Sequence, residues 1–266
     1  MTAPAPTAPS ASLPLLCIRN ISVRFGGILA LDDVTFDVER GLICGLIGPN
    51  GAGKTTLFNC LSLLYRADRG DIWFEGRPLL SLPMHAIASI GIGRTFQNLA
   101  LFSSMTVREN VMVGAHARSS GGFLANALRL PFVTRQEGRL AERADALIES
   151  LALAPFSATP CGELTFATRK RVELARALAS EPKLLLLDEP AGGLNHQEVE
   201  ALCDLIVAIR DQFKLTVLLV EHHMNMVTRV SDTVVVLNFG RKIAQGTPAD
   251  IQRHPDVIDA YLGVPA

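Results

Sequence analysis

Residues 48–56 read Gly48-Pro49-Asn50-Gly51-Ala52-Gly53-Lys54-Thr55-Thr56. An apolar run at residues 42–47 stops at Gly48, and a helical stretch carrying Leu57, Phe58 and Leu61 follows Lys54. Strand, glycine-rich turn and helix thus succeed one another in the order that a phosphate-binding loop requires. The glycines let the backbone curl so that its N–H groups point inward at phosphate oxygens. The following helix aims its positive end at the same place. Lys54 is placed to reach the β- and γ-phosphates, and the Thr55 hydroxyl to ligate magnesium. A glycine-rich turn that merely joins two elements is the competing reading, and the rest of the chain decides against it.

Downstream, residues 184–190 read Leu184-Leu185-Leu186-Leu187-Asp188-Glu189-Pro190. Four apolar residues describe a buried strand, and the acidic pair emerges at its carboxyl end, the usual ligand position in an open α/β sheet. Asp188 is suited to the magnesium shell and Glu189 to polarising an attacking water. A second buried strand is expected at residues 216–220 and another at residues 233–237, with helices at residues 169–179, 197–210 and 224–230 between them. Residues 15–25 and 30–38 read as strands of a sheet edge, because Val34, Phe36 and Val38 alternate with Thr35 and Asp37. A strand at residues 71–74 and a short helix at residues 83–90 come next. Residues 106–153 turn helical, with a loop at residues 119–122 and a stripe of Leu140, Ala144, Leu147, Ile148 and Leu151. The expected architecture is a nucleotide-binding α/β core interrupted by a helical insert.

Composition narrows the function classes. The chain has 266 residues, 48% hydrophobic and 19% charged, enough for a well-buried core. A net charge of -1 gives no bulk basic field, so nucleic acid is not an expected partner. Cys17, Cys44, Cys60, Cys161 and Cys203 are scattered without paired spacing, which fits small core residues in a reducing compartment. Residues 1–14 are Ala, Pro, Ser and Thr apart from Met1 and Leu13, carry no charge, lack a basic start and an apolar run, and read as a disordered leader. No run reaches the roughly 18 apolar residues of a membrane span, so any membrane role must come through a partner.

With the phosphate loop and acidic pair in place, the chain resembles the ABC ATPase family, whose other marks follow in order. Arg94-Thr95-Phe96-Gln97-Asn98 resembles the Q-loop, and Glu221-His222 the switch-histidine segment, with His223 as a competing assignment. Phe25 sits where that family stacks an aromatic on adenine. The resemblance implies ATP and Mg2+ as cofactors. It implies ATP contacts from Phe25 and Gly48, Pro49, Asn50, Gly51, Ala52, Gly53, Lys54, Thr55 and Thr56, and metal contacts from Thr55, Gln97 and Asp188. Catalytic roles fall on Glu189, His222 and Gln97. The implied fold is α/β, a P-loop NTPase ABC-type nucleotide-binding domain with an antiparallel β subdomain and a helical subdomain insert. Residues 15–263 would form one domain: a core at about 15–97 and 169–245, an insert at about 98–168 and C-terminal helices at about 248–262.

The match narrows further. The runs from Gly91 to Asn98, Leu101 to Val107 and Glu109 to Val111 are similar to the branched-chain amino acid importer subgroup. So are Phe239 to Ile243, Gly246-Thr247-Pro248 and Tyr261-Leu262-Gly263. The resemblance implies a distinct sister ATPase subunit, transmembrane permease subunits and a periplasmic substrate-binding protein as partners. It implies a place at the cytoplasmic face of the inner membrane and coupling near residues 97–107. Another small solute remains open as cargo.

Two segments depart from the family. Where it carries Leu-Ser-Gly-Gly-Gln, the signature that meets ATP on the other subunit, this chain has Leu164, Thr165, Phe166, Ala167 and Thr168. Thr165 keeps a hydroxyl and is suited to cap the following helix. Ala167 replaces Gly: its methyl either is accommodated or holds phosphate off and forbids a positive φ. Asn195 stands where Asp is usual, keeping the shape and losing the charge. A subunit gated by nucleotide with weak hydrolysis is therefore an alternative. So is a soluble ABC ATPase acting on DNA or ribosomes, although the second cassette or long coiled coil of those families is missing. A P-loop kinase would have no use for the Gln97, signature and His222 series.

Overall fold

The computed structural model describes residues 14–95, 99–115 and 131–262. Residues 1–13, Gln97 with its neighbours Phe96 and Asn98, and the loop at residues 119–122 lie outside the described residues. The chain starts as an antiparallel sheet of β1 (Leu16–Phe25), β2 (Ile28–Val38), β4 (Arg69–Phe74) and β5 (Arg77–Pro78), in the order β2-β1-β4-β5. Strand β1 lies inside this sheet, not at its edge, because β4 returns along its free side with Leu16 opposite Phe74 and Ile18 opposite Ile72. The period-two pattern works as it should: Val34, Phe36 and Val38 are buried, with Thr35 and Asp37 partly exposed between them.

The second sheet runs β10-β9-β3-β8-β7-β6. Strands β3 (Ile43–Ile47), β7 (Leu184–Asp188) and β8 (Thr216–Val220) are buried at every position, as strands covered on both faces are. With β6 (Ile92–Arg94) and β9 (Thr233–Asn238) they pair in parallel, and β10 (Arg241–Gly246) closes the edge antiparallel to β9. Two of these strands carry no legible pattern. Strand β6 is short and contains Gly93, and β10 begins with exposed Arg241 and Lys242, which suit an edge.

Helix α1 (Lys54–Leu61) leaves the phosphate loop, and α2 (Ile87–Ile90) precedes β6. The insert contains α3 (Val107–Ala115) and α4 (Pro131–Ser150), which pack on α5 (Phe166–Ala179). Ala144, Leu147, Ile148 and Leu151 are buried in that contact, and Leu140 packs against it. A reciprocal capping pair starts α3: Thr106 N donates to Glu109 Oε2 at 2.8 Å, and Glu109 N to Thr106 Oγ1 at 3.2 Å. Buried Asn110 then ties back the preceding turn, accepting from Phe102 N at 2.9 Å and donating to the Phe102 carbonyl at 3.0 Å. Helices α6 (His196–Phe213), α7 (Met224–Val230), α8 (Pro248–Gln252) and α9 (Pro255–Leu262) complete the chain. Among the described residues no helix is long and apolar enough to cross a membrane.

Candidate functional site

Adjacent strands bring the chemistry together. Leu46 pairs with Val220, and Val220 with Asp188, so β3, β8 and β7 end at one level. The residues that follow are the phosphate loop, Glu221-His222 and Glu189, side by side on the carboxyl rim of a parallel sheet.

The loop curls because glycine permits it. Gly48 has φ 150° and Gly53 φ 99°, and a Cβ on Gly53 would lie 2.6 Å from the Ala30 carbonyl oxygen. Lys54 folds back over the loop, its Nζ donating to the carbonyls of Gly48 at 2.6 Å and Pro49 at 2.9 Å. Burial pushes the Lys54 ammonium below the usual lysine range, and the nearby Glu189 carboxylate offsets part of that. A pocket of about 360 Å³ opens there, lined by loop residues including Asn50, Gly51, Gly53, Lys54, Thr55 and Thr56, by Glu189, and by Ile28, Leu29 and Phe239. Phe25 is not in that lining: its half-exposed ring meets Tyr65 edge-on, with centroids 5.1 Å apart.

The acidic pair divides its surroundings. Asp188 is 4% exposed and receives Arg94 Nη2 at 2.9 Å. The same guanidinium reaches Asn59 Oδ1 at 3.0 Å and Ser62 Oγ at 2.8 Å at the end of α1, so it locks the strand end to the helix behind the phosphate loop. Glu189 has φ 46°, a left-handed conformation unusual for a side-chain-bearing residue, and its N–H is held by the Val220 carbonyl at 2.9 Å. His222 Nδ1 lies 4.0 Å from Glu189 Oε1. His223 Nδ1 is 3.0 Å from Glu221 Oε2. Both histidines neighbour Glu221, since His222 Nδ1 is 3.8 Å from the same Oε2 and the two rings lie 4.2 Å apart between centroids, and His222 is the one that also reaches Glu189. Thr55 and Asp188 offer hard oxygen donors, a set that fits magnesium better than a thiophilic metal.

The departing segments have local explanations. Thr165 caps α5, accepting from Thr168 N at 3.3 Å. The helix starts at Phe166, three residues before the expected start, so Ala167 lies within its first turn and is absent from the left-handed residues. The backbone objection to its Cβ falls away. Leu164 is buried, and the half-exposed Phe166 ring lies against Gly193, with Lys170 Nζ 5.5 Å from its centroid. Leu164 to Thr168 do not line the phosphate pocket. Asn195 caps α6 reciprocally: its Oδ1 accepts from Glu198 N at 3.0 Å, and its N–H donates to Glu198 Oε2 at 2.9 Å.

Arg94, Glu221 and Phe239 join the site without a role that the sequence assigns them. Glu221 follows the apolar run at residues 216–220, which is the available signal, whereas Arg94 ends a strand with no legible pattern. Exposed Phe239 gives none.

A family model described as "ABC transporter" matches residues 31–192, and one described as "Branched-chain amino acid ATP-binding cassette transporter" matches residues 241–266. The high-affinity branched-chain amino acid transport ATP-binding protein BraF of Pseudomonas aeruginosa is 43% identical over 95% of this chain and 99% of its own length. LivG of Escherichia coli K12, of the same description, is 40% identical over the same shares. Among solved structures, the ADP conformation of MJ1267, an ATP-binding cassette of an ABC transporter, superposes with a TM-score of 0.83 at 29% identity, covering 95% of this chain and all (100%) of that one. A nucleotide-free ATP-binding cassette gives a TM-score of 0.82 at 29% identity over 94% of this chain and 100% of its own.

Proposed function

The chain belongs to the ABC transporter family, and from that premise we propose that it is the ATP-binding and ATP-hydrolysing subunit of an importer for branched-chain or related amino acids. The observation that carries the reading is the convergence of Lys54, Asp188, Glu189 and His222 on one sheet rim. The phosphate loop binds the phosphates through its amides and Lys54. Glu189 orients and polarises the attacking water, and His222, Gln97 and Phe25 contact γ-phosphate, metal and adenine. Thr55, Gln97 and Asp188 would hold Mg2+, which supplies charge neutralisation at the phosphates when bound. The cargo rests on the similarity to BraF and LivG and on the C-terminal match at residues 241–266.

The working unit is a head-to-tail dimer with a distinct sister subunit, on the cytoplasmic face of the membrane beneath permease subunits. A periplasmic binding protein delivers the solute. Leu164, Thr165, Phe166, Ala167 and Thr168 face the sister's ATP. The site built on this chain's phosphate loop is then the better hydrolytic one, and the site completed by its altered signature the weaker. ATP holds the closed dimer, and loss of the γ-phosphate loosens it, so the difference in binding energy drives the permease. A groove of about 470 Å³ beside β6 and α3, with Leu64, Met84 and Val113 exposed in it, is the proposed seat of a permease helix.

Replacing Glu189 with Gln tests the assignment. ATP binding should persist and turnover of the complete complex collapse. Unchanged turnover would remove Glu189 from the mechanism and the asymmetry with it.

A further inference from the structure

Glu221 closes β8 and is fully buried, at 0% exposure. Its carboxylate gathers groups from two separate loops. Oε1 accepts from the N–H of Ala191, the first residue after the acidic pair and its proline, at 2.8 Å. Oε2 accepts from the N–H groups of His222 at 3.0 Å and His223 at 3.3 Å. His223 Nδ1 lies 3.0 Å from the same oxygen. Against a carboxylate the ring nitrogen must be the donor, so Nδ1 carries the proton. The donors of Glu221, His222 and His223 lie within 4.8 Å of one another, close enough to suggest a metal. With three N–H donors already on Oε2, hydrogen bonding accounts for the cluster instead.

A buried carboxylate used on both oxygens is costly unless its hydrogen bonds are made. The arrangement is therefore a brace of fixed geometry. One end holds residue 191, two positions after Glu189; the other holds the peptide that carries His222. Glu189 and His222 approach to 4.0 Å across the gap that this brace spans.

We infer that Glu221 is a positioning residue for hydrolysis: it sets the separation and orientation of Glu189 and His222 by tying the loop after the acidic pair to the histidine segment. This rests on the proposed ATPase reading and adds a residue to it. Glu221 is fully buried and does not line the pocket at the phosphate loop, so it acts on turnover and not on binding. A displacement of about 1 Å at a reacting group can cost on the order of 100-fold in rate, so a loss of roughly 10- to 100-fold is expected when the brace is broken.

The test is Glu221→Gln, which keeps the size and puts an NH2 where an acceptor is needed. The complete transporter complex is assayed for ATP turnover, and the isolated chain for ATP affinity. If the unmutated complex shows no turnover, the ATPase reading itself fails. Given native turnover, the inference expects Glu221→Gln to lower kcat about 10-fold or more with ATP affinity unchanged within about twofold. It also expects little further loss when Glu221→Gln is added to His222→Ala, because both act on one pair. Native kcat in Glu221→Gln, equal losses of affinity and kcat, or full additivity with His222→Ala would each overturn it. Should Glu221→Gln not fold, His223→Ala removes the ring's contact with Glu221 and its packing on His222, the two side-chain contacts through which this end of the brace bears on His222. A partial fall in kcat at unchanged affinity then supports the brace, and native kcat overturns it.

Discussion

Removing Arg94 should cost more than any surface ion pair in this protein. Side-chain exposures are 9% for Arg94 and 5% for Asp188, and the guanidinium also binds Asn59 and Ser62. In Arg94→Ala the carboxylate stays buried with its strongest partner gone. Breaking such a pair from one side typically costs about 3–5 kcal/mol. Total stability of a domain is about 5–15 kcal/mol, so this is a large fraction. At a slope near 3 kcal/mol per M of urea, the unfolding midpoint should fall by roughly 1–1.7 M. The assay is urea unfolding of the isolated chain followed by far-ultraviolet circular dichroism. The origin of the loss is separable: in an Asp188→Asn background, Arg94→Ala should cost about 1–3 kcal/mol less than in the native chain. Equal costs in both backgrounds, or a single-mutant midpoint within about 0.2 M of native, would refute the reasoning.

Gly53→Ala should abolish nucleotide binding in a titration with a fluorescent ATP analogue, since φ 99° and the Ala30 carbonyl leave no room for a Cβ; retained affinity would mean that the loop tolerates another conformation. Asn195→Ala should cost about 1 kcal/mol through the lost cap, while Asn195→Asp keeps the acceptor and should be near neutral in thermal unfolding. Ellman's reagent at pH 8 should label half-buried Cys17 first and leave Cys44 and Cys60 unreacted until unfolding, because burial pushes their thiols up to about 12 and about 11. Above the ordinary thiol range the unfolded chain gives up these protons and the folded chain does not, so stability should fall as pH rises from about 9 toward 11. Cys44→Ala should lessen that fall; an identical pH dependence would remove Cys44 as a cause.

The parallel core was legible because β3, β7 and β8 are uninterrupted apolar runs, and Gly48 and Asp188 mark where two of them end. The phosphate loop was legible because its chemistry is local, with every required residue inside nine positions, 48–56. The braces behind the site were not. Arg94 meets Asp188 across 94 positions and Glu221 meets Ala191 across 30, and only the strand order makes those pairs neighbours. Strand β10 escaped because an exposed edge needs no apolar alternation. Ala167 looked alarming because a family glycine suggested a positive φ. The Thr165 cap begins the helix early enough to make that position ordinary helix.

The most direct measurement is steady-state ATP turnover of the purified chain, alone and with the proposed sister subunit and permease, with Glu189→Gln in parallel. The account predicts Mg2+-dependent turnover that rises on assembly and is lost in Glu189→Gln, which still binds ATP. Turnover indifferent to Glu189→Gln, or none in the complete complex, would contradict it.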